Sequence, residues 1–513
     1  MKLTVILSFF VALILISSAA YADDPITVGK AALDRGDYPA AIAAFREAVD
    51  KNSKNPQAFI LLGTACLKGD SLDAAVAALI QGRELDTANA QFYLLLGDVY
   101  AKQKIFVAAA EQYKKASLLD GKNLGTFLKL GDAERRSHQY NDAITAFQNV
   151  LAIDSNNVTA LTEIGNIFMR ARRYVNAVPV YERLIRLEPD SMNVQLNYAK
   201  VLFETKSYQK FIPVGEAISK KDASQTEVQS MLANAYSILK LDSLTVQQYE
   251  KLKIDTLGVD NLLRYAKALK AVDKIDKSLE IFQRAYTKDS TRCDIPYDFG
   301  TTYMKVKKYQ EAIRMFDKKI ACDTSAGYQF ASHLNEAMSL MQLKNFRDAQ
   351  VHIQKSIQYR PDNVQAWLVL AQDYGQLEMT DDEVSSYKKV IDLVTALSEN
   401  ADVSKYNSQM VESYRMVGVR YLIKATQLQK VGDEKLPEAK KTFAASVDFL
   451  KKALQYTPKD CQVMLWIAQA SQNSGSKEEA KRYYCKVLQQ CPDSKEAKDA
   501  QSGLDALGVK CGE

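Results

Sequence analysis

The amino-acid sequence predicts an all-α chain built by tandem repetition of antiparallel helix pairs. Three observations carry that expectation. Gly29, Gly63, Gly97, Gly131 and Gly165 lie 34 residues apart, a fixed period that a single irregular core has no reason to produce. Within each period apolar residues recur twice at helical spacing, separated by short polar breaks such as Arg35-Gly36-Asp37 and Lys68-Gly69-Asp70. The chain has 513 residues, more than one core supports, and only 11 prolines and 21 glycines, which disfavours a loop-rich β architecture.

The N-terminus stands apart from the repeats. Lys2 precedes an apolar run from Leu3 to Ile16, and Ala20-Tyr21-Ala22 offers small residues where a signal peptidase reads them. The run is short for a membrane span, and polar Asp23-Asp24-Pro25 follows at once. Residues 1–22 are therefore expected to be a secretory signal cleaved after Ala22, with export to a bacterial periplasm or cell envelope. Without Lys2 the chain keeps 66 basic and 62 acidic residues. That balance gives no nucleic-acid or anionic-membrane footprint. No later segment is apolar enough to be read as a transmembrane span.

The repeat itself is specific. Leu96-Gly97-Asp98-Val99-Tyr100 is followed by Ala109, Tyr113 and Ala116; Leu130-Gly131 by Ala143 and Phe147; Ile164-Gly165 by Ala177, Tyr181 and Pro189. The small residue lets the paired helix approach, and the alanine and aromatic fill the space opposite. Pro189, Pro361, Pro458 and Pro492 stop second helices and turn the chain into the next unit. A lone pair cannot bury its apolar faces, so neighbours must stack to complete the core.

This pattern closely resembles the tetratricopeptide repeat family across nearly the whole chain after the leader. The resemblance implies a right-handed superhelical solenoid of about 13 helix pairs with a C-terminal capping helix. Units are expected to start near residues 22, 56, 90, 124, 158, 192, 226, 259, 293, 330, 364 and 461, with one irregular unit before the last. The organisation read from this is a tandem array over 23–394, an elongated hairpin over 395–460, and a final unit with capping helix and tail over 461–513. Three places depart from the pattern. Phe211 and Gly215 stand where the small and aromatic residues belong, which predicts a distorted second helix. Residues 253–262 lose one position of register. Gly418 to Pro458 spans 40 residues where Gly165 to Pro189 spans 24, so this hairpin is longer, read as a longer pair packing in place rather than a protruding tip.

Repeat position also organises the cysteines. Cys293 and Cys322 begin and end one unit, and Cys461 and Cys491 begin and end another, so each pair is expected to staple its own hairpin. Cys485 and Cys511 are left to fix the C-terminal tail, and Cys66 reads as a buried apolar residue. No CxxC occurs and His138, His333 and His352 are scattered, so neither metal nor cofactor is expected, although His333 and His352 could meet across one hairpin.

In the family, first helices line the concave groove and the residue after the small position faces inward. That rule nominates Asp98, Asp132, Asn166, Lys200, Asn234 and Lys267, with Arg135 and Arg170 one turn on. Such a ladder can hydrogen-bond an extended peptide, with Leu94, Leu128, Phe203 and Tyr297 offering apolar contacts. Ile60, Leu94, Leu128 and Thr162 stand where carboxylate-clamp members carry their first lysine, which disfavours chaperone-tail binding. No phosphate loop, GxSxG elbow or HExxH helix appears, and Arg35-Gly36-Asp37 falls on a turn where those residues are expected anyway. The function implied is a non-catalytic scaffold binding protein or peptide partners. A glycan- or peptidoglycan-binding groove is the alternative, and an enzyme with an unrecognised site the remote one.

Overall fold

A computed structural model describes residues 24–398 and 402–512, and the expected leader lies outside them. Among the described residues every regular element is helical. The chain divides into two compact units, one through Ala235 and one from Tyr236. The first holds α1 (Pro25–Asp34), α2 (Tyr38–Lys51), α3 (Pro56–Lys68), α4 (Leu72–Leu85), α5 (Ala90–Lys102), α6 (Phe106–Leu119), α7 (Leu124–Arg136), α8 (Tyr140–Ile153), α9 (Val158–Arg170), α10 (Tyr174–Leu187), α11 (Met192–Glu204) and α12 (Tyr208–Lys221). The division falls inside α13 (Thr226–Ile238). The second unit continues with α14 (Asp242–Glu250), α15 (Val259–Ala271), α16 (Ile275–Lys288), α17 (Pro296–Lys305), α18 (Tyr309–Cys322), α19 (Ala326–Gln342), α20 (Phe346–Tyr359), α21 (Val364–Gln376) and α22 (Thr380–Ser398). It ends with α23 (Asn407–Val431), α24 (Leu436–Tyr456), α25 (Cys461–Ser474), α26 (Lys477–Gln490) and α27 (Lys495–Leu507). The fold class is all-α tandem repeat, as the sequence predicts. The lost register falls after α14, which stops at Glu250 and hands over to a short turn of 3-10 helix at Ile254–Thr256.

Local chemistry sets where each helix begins and ends. The side chains of Asn55, Asn89, Asn123 and Asn157 each accept a backbone N–H of the first turn, from Gln57, Gln91, Thr126 and Ala160, all at 3.1 Å. Each such cap stabilises its helix by about 1 kcal/mol. At the other end the chain closes through main-chain bonds: Ser71 N–H donates to Cys66 at 2.8 Å, and Ile105 N–H to Tyr100 at 2.9 Å. This closure forces the residue between the helices into the left-handed region, with φ of 61° at Asp70, 62° at Lys104, 65° at His138 and 54° at Arg172.

Packing within a hairpin turns on the small position. A Cβ added to Gly97 would lie 2.5 Å from the Tyr113 ring, and one added to Gly131 2.7 Å from Phe147. Tyr113 and Phe147 are buried, so these rings occupy the space that the glycines leave. The α12 expectation needs correction: α12 runs 14 residues without interruption, like α10. Phe211 and Gly215 exchange the small and bulky positions, so volume is conserved. Phe211 packs edge-on against Phe203 at 5.4 Å, and Leu232 of α13 fills the room over Gly215. Pro213 of α12, like Pro179 of α10, sits on the exposed side, where solvent can reach the carbonyl it leaves unpaired.

The helices from α22 to α24 are long, at 19, 25 and 21 residues. The added turns of α23 and α24 are packed rather than free, because Ala425, Ala439 and Phe443 join one buried core with Met464 of α25 and Tyr484 of α26. Only the outermost turn leaves it, with Val431 65% exposed.

Asp373 and Glu134 are among the carboxyls that sit in core positions. Asp373 is 0% exposed and neither of its oxygens has a hydrogen-bond partner among the described residues; one oxygen of Glu134 is likewise buried and unpaired. Burial pushes Asp373 from its ordinary 3.8 up to about 7. Burial, with Asp142 adding and Lys114 opposing, raises Glu134 from 4.5 to about 7. The folded state thus holds these protons more tightly than the unfolded chain, and the stability they allow is lost as pH rises from about 4 to 7. Urea unfolding at pH 5 and pH 8 should show that loss shrinking by roughly 2–4 kcal/mol in Asp373→Asn, with Glu134→Gln acting the same way.

Candidate functional site on the first helices

The nominated ladder divides into braced and unbraced members. Asp98 accepts the Tyr113 hydroxyl at 2.7 Å and the Lys129 ammonium of the next first helix at 2.7 Å. Asp132 accepts from Arg135 at 2.6 Å and forms an ion pair with Arg136 at 2.8 Å, and Arg135 reaches on to Glu163 of α9 at 3.1 Å. In the second unit Lys267 pairs with Asp298 of α17 at 2.7 Å, while Lys270 donates to the Thr301 hydroxyl at 2.5 Å. These half-exposed pairs stabilise by at most about 1 kcal/mol each. Apart from the Asp132 pairs, which stay within α7, their effect is lateral: they tie one first helix to the next, and all of them occupy groups that the sequence offers to a ligand. The Leu94 and Leu128 side chains pack into the core, and the Tyr297 hydroxyl accepts from Asn335 at 3.2 Å.

Asn166, Arg170 and Lys200 differ. No hydrogen bond or ion pair engages their side chains among the described residues, and Arg170 and Lys200 are exposed. Asn166 and Arg170 line a cleft of about 270 Å³ with Arg135, Tyr140, Glu163, Ile167 and Met169. Its walls offer a free guanidinium, an amide and a thioether, which suits a partner presenting a carboxylate beside an apolar side chain. Asn234 is half-buried on α13.

The cysteines fall in three close pairs. Cα separations are 5.8 Å for Cys293 and Cys322, 6.5 Å for Cys461 and Cys491, and 5.6 Å for Cys485 and Cys511, with the sulfurs of each pair in contact. Cys66 is buried alone, and burial pushes its thiol up.

His333 and His352 do meet across the α19–α20 hairpin, Nδ1 to Nδ1, at 3.1 Å. Glu336, which the sequence reading passed over, joins them: its Oε2 lies 3.2 Å from His352 Nδ1. The signal was the His333-to-Glu336 spacing of about one helical turn, which puts both on one face. Burial, then His352 and Lys355, lower His333 to about 4, so its imidazole is neutral at ordinary pH.

The family models agree with these helical hairpins. Tetratricopeptide repeat family models match residues 28–82, 68–117 and 128–191, then 168–235, and 462–494. Tetratricopeptide repeat protein 21A of Mus musculus is 22% identical over 258 residues, and that of Homo sapiens 21%; the match spans 48% of this chain but only 18% of either relative. Among solved structures, the Cut9–Hcn1 hetero-tetramer of the APC/C aligns over 96% of this chain and 98% of its own at 14% identity and TM-score 0.32. MamA aligns over 32% of this chain and 90% of its own at 21% identity and TM-score 0.31. No helix among the described residues is long and apolar enough to cross a membrane. With the family's models matching in both units, the matched residues are tetratricopeptide repeats, and the described helices between them continue as antiparallel hairpins.

Proposed function

We propose that this protein is an exported, non-catalytic scaffold of the cell envelope that binds acidic, extended segments of partner proteins along its first helices. The observation that carries the reading is the contrast within the ladder. Asp98, Arg135 and Lys267 are spent on neighbouring helices and Asp132 on arginines of its own helix, whereas Asn166 and Arg170 are left free on one cleft and Lys200 is left free on the next first helix. An extended peptide would set its carboxylates against Arg170 and Lys200 and its main-chain amides against Asn166. Export rests on the leader and on the three cysteine pairs, which suit an oxidising compartment.

Photocrosslinkers at Asn166 and Lys200 in the native host test this. The expected result is a discrete envelope-protein adduct that disappears when Arg170→Glu is added. Labelling no stronger than at Leu118, exposed on the second helix α6, would count against the site.

A further inference from the structure

We propose that His333, Glu336 and His352 form a binding site for one divalent transition-metal ion of the zinc class, clamping the α19–α20 hairpin. The proposal is independent of the peptide site. The three side chains each offer one ligand atom, and these atoms all lie within 4.8 Å of one another.

Hydrogen bonding alone cannot satisfy this cluster. His352 Nδ1 lies 3.1 Å from His333 Nδ1 and 3.2 Å from Glu336 Oε2. One ring nitrogen carries either a proton or a lone pair. As an acceptor it serves either His333 or a protonated Glu336 and leaves the other facing a lone pair; as a donor it serves one neighbour and leaves the other. The orphan is visible: Glu336 Oε2 is buried without a hydrogen-bond partner, in a residue only 3% exposed, and His333 is 4% exposed. Leaving such an oxygen unpaired costs free energy that water cannot return at this depth.

A cation resolves the conflict, because every ligand then points a lone pair at it. With metal–nitrogen and metal–oxygen distances of about 2.0–2.2 Å, adjacent ligands of a tetrahedral ion stand roughly 3.3 Å apart. The two short separations here are already close to that edge. Two imidazoles and a carboxylate favour zinc, cobalt or nickel over magnesium or calcium. The His352 side chain is 20% exposed, so water can reach the cluster to complete the shell. Two further charges bear on the cluster: Asp317 of α18, which acts on Glu336, and Lys355 of α20, which acts on His333. Asp317 adds the negative charge that a dication needs.

The test is calorimetric titration of the chelator-stripped, oxidised protein with Zn²⁺, and with Co²⁺ followed by its visible absorption. One ion per chain is expected, with a rise in melting temperature. His352→Gln should weaken binding at least about tenfold, while His138→Gln, at an exposed turn, should leave it unchanged. X-ray absorption on the wild-type complex should find two imidazole nitrogens at about 2.0–2.1 Å, a readout that does not depend on the variant folding. Absence of binding, binding unaltered in His352→Gln, or a shell without imidazole would each overturn the proposal.

Discussion

Gly97→Ala is expected to weaken the α5–α6 hairpin by about 1–3 kcal/mol, against the gain of about 1 kcal/mol that alanine brings to a helix interior. The added methyl would stand 2.5 Å from two atoms of the Tyr113 ring. That ring cannot swing aside, because it is buried and its hydroxyl is held by Asp98 at 2.7 Å. Gly165→Ala is the matched control. Its methyl would meet Tyr181 at 3.1 Å, a contact that a shift of a few tenths of an ångström relieves, so the two effects should nearly cancel. Hydrogen exchange of α5 and α6 amides, read beside urea midpoints, separates the two variants. Gly97→Ala as stable as wild type would refute the packing argument.

The cysteine pairs should carry larger effects still. Oxidative folding is expected to leave one thiol, Cys66, reactive after unfolding, out of seven cysteines in the chain. The three pairs are separated by 29, 30 and 26 residues. Closing loops of that size restricts the unfolded chain by about 3–4 kcal/mol each. Cys461→Ser with Cys491→Ser should therefore lose about that much from the C-terminal core, where α25, α26 and α27 share one cluster. Seven reactive thiols after oxidative folding would show the pairing to be absent.

The regular part of this fold was legible because one rule recurs. The glycine period and the polar breaks are local signals, and they locate helices such as α3, α5, α7 and α9 closely. What escaped depends on side chains from different hairpins. Lys129 on Asp98, or Glu163 on Arg135, follows from neither residue's own position in its repeat, so the ladder looked uniformly available. The Phe211 and Gly215 exchange misled for a related reason: a position-by-position pattern registers two violations where packing registers one conserved volume. Glu336 was missed because a carboxylate on a helix usually faces water; its depth becomes visible only when α20 closes over it.

The left-handed turn between paired helices bears on how such an array diverges over evolutionary time. Its backbone is fixed by main-chain bonds from the helix before it, and its side chain projects outward at Asp70, Lys104, His138 and Arg172. Among residues that tolerate a left-handed backbone, side-chain charge is therefore uncoupled from the geometry at that one column of the repeat. An acid, a base and an imidazole already occupy it in copies that share a common backbone. Drift along this edge can change the sign of surface charge from repeat to repeat while every helix keeps its register, giving copies of one duplicated unit a means of becoming chemically distinct.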